Sequence, residues 1–521
     1  MTASAAQFAG ILIACGAAAT AILARDARLR YAAALVALVA APALVLGDVW
    51  DTSRVASLRH PPEKLAALIA AAAAAAVATG AIFRRFEWAF PLAVFGALPL
   101  RVPLAVGGET SHLLVPLYLV IAGGVLSFGY AAIRGPRVRG DGAPSVHPAT
   151  LRTSPLIVWL YRVLAAMVLL YAIQSFYSDD VSNAIENASF FLVPFALLFS
   201  MLGEVRWSDR LLGWILVMLT AVALVFAAVA FWEYAARDLL LSKGDLLASN
   251  QLHLYFRVNS LFYDPNILGR DLALVMVALG AYLAWARNGR FAAAAAGAAG
   301  MLLAALALSY SITGFVALVA GLLVVMALRW GIRWALGTGL AIVAAAAIFA
   351  AVSGVGRTDL SSTDKIDTNF SAGRVSLVTG GYDLARDRPI WGWGSGSFGE
   401  AFKEHVDPNA ETTVSHSEPL TVGAEQGAIG LVVYIALVVL GLLVLLGGGA
   451  RESVAATAVA ACFVALIVHS LGYADFSVDP AMWALLGVGV ALRLRRAAGA
   501  EVAAPERAAQ SPAHDPRPAT A

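Results

Sequence analysis

The chain predicts an all-α polytopic membrane protein, a bundle of about 12–15 transmembrane helices with one large extracytoplasmic loop. Three observations carry this prediction. Hydrophobic residues make up 60% of the 521 residues and charged ones only 13%, whereas soluble domains are nearer a quarter charged. Apolar runs long enough to cross a bilayer recur along the whole chain. The loops between them alternate between short arginine-rich segments and segments that are polar without a basic excess.

The apolar runs fall at 4–24, 31–47, 64–83, 88–106, 112–133, 155–176, 188–203, 211–234, 265–286, 291–309, 314–328, 333–352, 420–447, 454–472 and 480–492. The basic loops 25–30, 84–87, 134–140, 204–210, 287–290, 329–334 and 492–496 then share one side. By the positive-inside rule that side is cytoplasmic. The segments 235–264, 353–419 and 472–480 face outward, and an odd number of spans puts the N-terminus outside. The expected organisation is N-terminal spans in 1–133, a cytoplasmic linker at 134–154, and central spans in 155–352 that include the outward loop 235–264. A catalytic loop at 353–419 follows, then C-terminal spans in 420–492 and a disordered cytoplasmic tail at 493–521. That tail is too poor in apolar residues to pack.

Composition excludes some chemistry. Cys15 and Cys462 both lie inside apolar runs, so they read as buried thiols, neither a disulfide framework nor a metal site. The net charge of +2 gives no reason to expect a nucleic-acid partner. The first apolar run lacks a basic leader, so no cleavable signal peptide is expected. Alanine runs at 70–78 and 292–296 suit close helix contacts in a membrane.

Candidate functional residues concentrate in the outward segments. The first of these ends in YFRVNSLFYDPNILGRDLAL, where Asp264-Pro265-Asn266 is a helix-start signal. Arg257 precedes it by seven residues, at a boundary where a cation has no evident structural duty and an anionic head group could meet it. Arg270 and Asp271 fall inside the next span, where charges pair or line a polar cavity. In the large loop, Arg374 opens a helical pattern with Val375, Val378, Tyr382 and Ala385 on one face. A cation in a first turn opposes the helix dipole. Either the arginine is solvated there, or a phosphate at the free backbone N–H groups holds it.

Trp391-Gly392-Trp393-Gly394-Ser395-Gly396 follows Arg388-Pro389. Glycines allow close approach of backbone to a ligand, and tryptophans suit a membrane interface or a sugar surface. The stretch does not match a nucleotide-binding loop. His416 precedes Glu418-Pro419 at the start of a span; it is either an idle surface imidazole or a base for a hydroxyl. Glu404, His405 and Glu411 match no zinc spacing, so no metal and no cofactor are expected.

Four segments together resemble the O-antigen ligase and O-antigen polymerase superfamily: FRVNSLFYDPNILG (256–269), SYSITG (309–314), SAGRVSLVTGGYDLARDRPIWGWGSGSF (371–398) and HSEPLTVGAEQGAIGLVVY (416–434). The resemblance covers roughly Val205 to Leu492. It departs at Ser311-Ile312, where the family often has Ser-Arg, and at His416-Ser417, where it often has His-Asn. The family implies a GT-C-like, metal-independent, inverting transferase of the bacterial cytoplasmic membrane, acting on its extracytoplasmic face. It implies that Arg374 and Arg257 bind the diphosphate of an undecaprenyl-diphosphate-linked glycan donor. His416 would deprotonate the hydroxyl of a glycolipid, glycan or protein acceptor. Arg388, Glu418 and Asp475 are expected in supporting roles. Ligase, polymerase and protein-directed oligosaccharyltransferase share this pattern. A multi-span transporter is the alternative of another class, for which inverted repeats and interrupted helices are the discriminating features.

Overall fold

The computed structural model describes residues 4–106, 109–134, 154–241, 246–247, 250, 255–353, 368–410, 412, 414–447 and 449–509. The side chains of 54, 58, 103–112, 349–353, 368–374 and 498–509 are outside that description. The helices are α1 (Ala5–Leu23), α2 (Ala27–Asp48), α3 (Ser53–Arg59), α4 (Pro62–Arg85), α5 (Ala89–Ala97), α6 (Val115–Arg134) and α7 (Pro155–Gln174). Next come α8 (Val181–Asn187) and α9 (Val193–Leu202), joined by a π-helical turn, then α10 (Asp209–Ala236), α11 (Pro265–Trp285), α12 (Gly289–Ser309), α13 (Ile312–Arg329) and α14 (Ile332–Ser353). The last five are α15 (Thr368–Asp387), α16 (Phe398–His405), α17 (Glu418–Leu446), α18 (Val454–Ser470) and α19 (Pro480–Ala509).

Eleven helical stretches among the described residues are long and apolar enough to cross a membrane, and α14 and α18 are shorter apolar helices. The protein is therefore an all-α polytopic membrane protein, with one small exception. Strands β1 (Val102–Val106) and β2 (Glu109–Leu113) form an antiparallel hairpin in which Val102 faces Leu113. The apolar run at 88–106, expected to be a full span, gives only the nine residues of α5 before this hairpin. Pro99 and Pro103 flank Arg101 there; each proline removes a helical N–H. The run still carries the chain back across the bundle. Gly80 lies against Gly123 and Arg84 sits over Tyr130, so α4 and α6 run parallel and 88–114 must return.

The arginine-rich ends meet one another. Arg30 pairs with Glu204, Arg84 and Arg134 both cover Tyr130, Arg329 Nε donates to Ala284 O, and Arg495 Nη1 donates to Trp207 O. Two apolar cores fill the bundle. One joins α1, α2, α6, α7 and α9 to the C-terminal helices, and the other joins α10–α13 to α18. Cys15 and Cys462 are buried free thiols within them.

The chain from 493 does not leave the bundle as an irregular tail: α19 continues to Ala509. Alanine, glutamate and arginine dominate RRAAGAEVAAPERAA and favour helix, which continues through Gly499 and Pro505. The expected linker lies outside the described residues over 135–153, as do 354–367 of the large loop and 510–521 of the tail.

Candidate active site

At the end opposite the arginine-rich loops, four segments are tied together by buried polar groups. The first is the return from α10. Glu233, near the end of that helix, accepts N–H bonds from Ser260 (2.7 Å), Asn259 (3.1 Å) and Leu240 (3.1 Å), which ties Leu240 and the Asn259-Ser260 turn to α10. Asp264 then caps α11 through Asn266 N–H at 2.7 Å, as the sequence pattern anticipates.

Arg257 has a structural duty after all. It is buried, and its Nε donates to Ser309 O (3.2 Å) at the C-terminus of α12, where carbonyls lack helical partners. Its own N–H and C=O are held by Asn250 at 2.9 and 3.0 Å. Ser311 caps α13 and donates to Asn266 Oδ1 (3.1 Å), so the Ser-Ile departure from the family pattern sits at a helix cap.

The second and third segments are the His416 turn and the loop between α18 and α19. His416 has φ +60°, a left-handed conformation that ordinary residues rarely adopt. A knot of hydroxyls enforces it. Ser415 Oγ donates to Ser417 O (2.8 Å), lies 2.9 Å from Thr421 Oγ1, and accepts from Ser417 N–H (3.2 Å). The imidazole is thereby turned toward Tyr473, 6.1 Å between ring centroids, and Tyr473 lies 5.6 Å from the fully buried His469.

Glu418 accepts from Phe476 N–H, Ser477 N–H and Ser477 Oγ (2.6–3.1 Å), stitching α17 to that loop. Arg270 pairs with Asp271 (3.2 Å) and also with Asp475 and Asp479. The pairing expected of this charge is present, both within α11 and across to the loop between α18 and α19. Burial pushes the Asp475 carboxyl above its usual range; Arg270 opposes this, while Asp479 and Glu418 add to it. Burial likewise raises the Tyr473 phenol, with Asp264 and Asp475 adding to the effect, so its hydroxyl stays protonated.

The fourth segment is the large loop, and here the structure revises several expectations. Helix α15 begins at Thr368, so Arg374 lies in its second turn. No proline separates Thr368 from Arg374, and the helix extends back through Gly373. The backbone N–H groups at Arg374 are therefore not free to receive a phosphate; its side chain is outside the described residues. The Val375, Val378 and Tyr382 face is exposed, while Leu384 and Gly380 pack inward, the latter against Phe402.

The glycine ribbon contacts protein backbone rather than free space. Trp393 N–H donates to Ala424 O (2.9 Å), Gly394 N–H to Glu425 O (2.8 Å), and Ala428 N–H to Pro389 O (2.8 Å). Gly427 breaks α17 with φ +64°, and a side chain at either Gly392 or Gly427 would overlap the opposing backbone. Glu425 accepts from Gly396 N–H (2.9 Å) and Phe398 N–H (3.3 Å). Trp393 is buried, between the Arg388 guanidinium at 3.7 Å and the His405 ring at 4.3 Å. Arg388 supports the ribbon and makes no described contact with the His416 turn.

Among the described residues no cluster of three or more His, Cys, Asp or Glu is arranged to hold a metal. The sequence reading missed three groups. Tyr473 and His469 carry no motif, although a histidine ending an apolar run is a signal. Arg101, at the base of the β-hairpin, throws its charge on Tyr118, Asp271, Tyr473 and Asp475. Its signal is a charge set between prolines within an apolar run.

No curated protein matches the chain. Residues 297–435, which run from α12 through the large loop into α17, match the family model described as O-antigen ligase. That span holds Arg374, the glycine ribbon and His416, while α11 and the 471–479 loop that complete the cluster lie outside it. Residues 297–435 of this multi-pass membrane protein are an O-antigen ligase domain of the O-antigen ligase and polymerase superfamily.

Proposed function

We propose that this protein is an inverting, metal-independent glycosyltransferase that moves a glycan from undecaprenyl diphosphate to an acceptor hydroxyl. The observation that carries this reading is a single turn. His416 lies within the O-antigen ligase domain, is forced into a strained conformation by its hydroxyl knot, and faces a polar cluster remote from the arginine-rich loops. Backbone strain of this kind persists where surrounding structure over-determines it, and it concentrates at functional sites.

The chemistry asks little of the enzyme. A lipid diphosphate is already a leaving group, so cations must hold it and one base must take the acceptor proton. His416 is the base, and Arg374 and Arg257 are the diphosphate cations. Arg257 is held at the outward end of α12 by its Nε–H bond to Ser309 O, and its guanidinium carries the five-donor fork that a diphosphate requires. Glu418 and Asp475 position the surrounding loop, and Arg388 braces the ribbon. By the positive-inside rule the site opens on the extracytoplasmic face of the bacterial cytoplasmic membrane. Glycolipid, growing glycan and protein acceptors all present the same nucleophile, so the polymerase and protein-directed readings share this site.

The test is transfer in vitro from a defined polyprenyl-diphosphate glycan to candidate acceptors, with products weighed by mass spectrometry. His416→Ala and Arg374→Ala are each expected to abolish product while the protein remains expressed and membrane-inserted. Normal product from either variant rejects its assigned role. Activity is expected to survive EDTA, and loss that divalent metal restores would reject the metal-independent mechanism.

A further inference from the structure

We propose that Tyr473 is a positioning residue that fixes the His416 imidazole by ring contact, with His469 as the buried backstop behind it. This rests on His416 acting as the base. The three rings form a column: His469 is fully buried at the end of α18, Tyr473 is half-buried, and His416 is at the half-exposed end. Centroid separations of 5.6 and 6.1 Å, at interplanar angles of 49° and 50°, lie in the range where tilted rings attract.

Tyr473 has little freedom to move away. Gly472 packs against Thr313 on α13, Asp475 is tied to Arg270, and Glu418 holds the N–H groups of Phe476 and Ser477. The loop is therefore pinned on both sides of Tyr473. Glu418 lies only two residues beyond His416, so the same carboxylate that fixes the Tyr473 loop also fixes the turn carrying the imidazole. A base displaced by about 1 Å from its reactive geometry can lose on the order of 100-fold in rate. A rigid aromatic surface prevents that displacement without touching substrate.

The test is steady-state transfer with Tyr473→Phe, Tyr473→Leu and Tyr473→Ala, beside His416→Ala. Ring support predicts that Tyr473→Phe keeps kcat within about threefold, whereas the Ala and Leu variants lose roughly 10- to 100-fold in kcat with KM for the donor little changed. Diethyl pyrocarbonate modification at His416, mapped by mass spectrometry, should be faster in the Ala and Leu variants. Wild-type kcat in either of those two variants overturns the proposal, as does a Phe variant as impaired as Ala. If His416→Ala is active, the base assignment fails instead. In that event the modification rates alone decide whether Tyr473 holds the ring: unchanged rates in the Ala and Leu variants overturn the proposal, and faster ones sustain it.

Discussion

The glycine ribbon at 389–398 and the His416 turn at 414–418 lie on opposite ends of one polar loop, and both look functional in sequence. They differ in where their polar groups go. In the ribbon, the backbone N–H groups of Trp393, Gly394 and Gly396 and the Glu425 carboxylate are consumed within the protein. In the turn, hydroxyls satisfy the backbone and leave the imidazole facing Tyr473. Glycine spacing here reports close approach of two pieces of backbone.

The strongest way to break this contrast is Gly392→Ala or Gly427→Ala. Each Cβ would collide with backbone, at a φ of +71° or +64°. We expect loss of folded protein, measured as monodisperse yield in detergent, at a cost of about 3 kcal/mol or more. Near-normal yield would show that the ribbon can part from α17. Next comes Arg270→Gln, which leaves Asp475 and Asp479 without their cation and should cost about 3–5 kcal/mol. A thermal midpoint restored by Asp475→Asn on that background would identify the loss as electrostatic.

A smaller effect separates the two regions directly. Glu425→Gln weakens two backbone contacts and should cost about 1–3 kcal/mol while transfer per folded molecule is retained. His416→Gln should do the reverse, with stability unchanged and transfer lost. If Glu425→Gln instead abolished transfer at full stability, the ribbon would belong to the chemistry.

Much of this was legible in the sequence, because apolar length and arginine placement act locally and leave a pattern. Asp264-Pro265-Asn266 announces its helix, and Arg270 announces a buried partner. What was illegible depends on tertiary contact. Nothing near Arg257 in sequence reveals the open carbonyl of Ser309, 52 residues away. Tyr473 gains meaning only when α18 brings it to His416, and Arg101 only when a broken helix returns it to Asp271 and Asp475. The helix at Arg374 starts earlier, at Thr368, although Asn369, Ser371 and Gly373 are weak helix formers.

The smallest expected effect tests whether the polar cluster titrates as one unit. Burial holds the Asp475 proton more tightly in the folded protein than in an unfolded loop. The folded state therefore binds more protons, and this group's contribution favours folding at low pH. It should decline as pH rises from the ordinary carboxylate range through the raised value, by on the order of 1 kcal/mol. Arg270 limits the decline, since its attraction grows as the carboxylate ionises. Thermal midpoints in detergent should fall over that window in the wild type, and the fall should flatten in Asp475→Asn. An identical slope in both would mean that Asp475 stays ionised throughout, with Arg270 outweighing burial, and that its carboxylate is a fixed anchor of the loop beside His416.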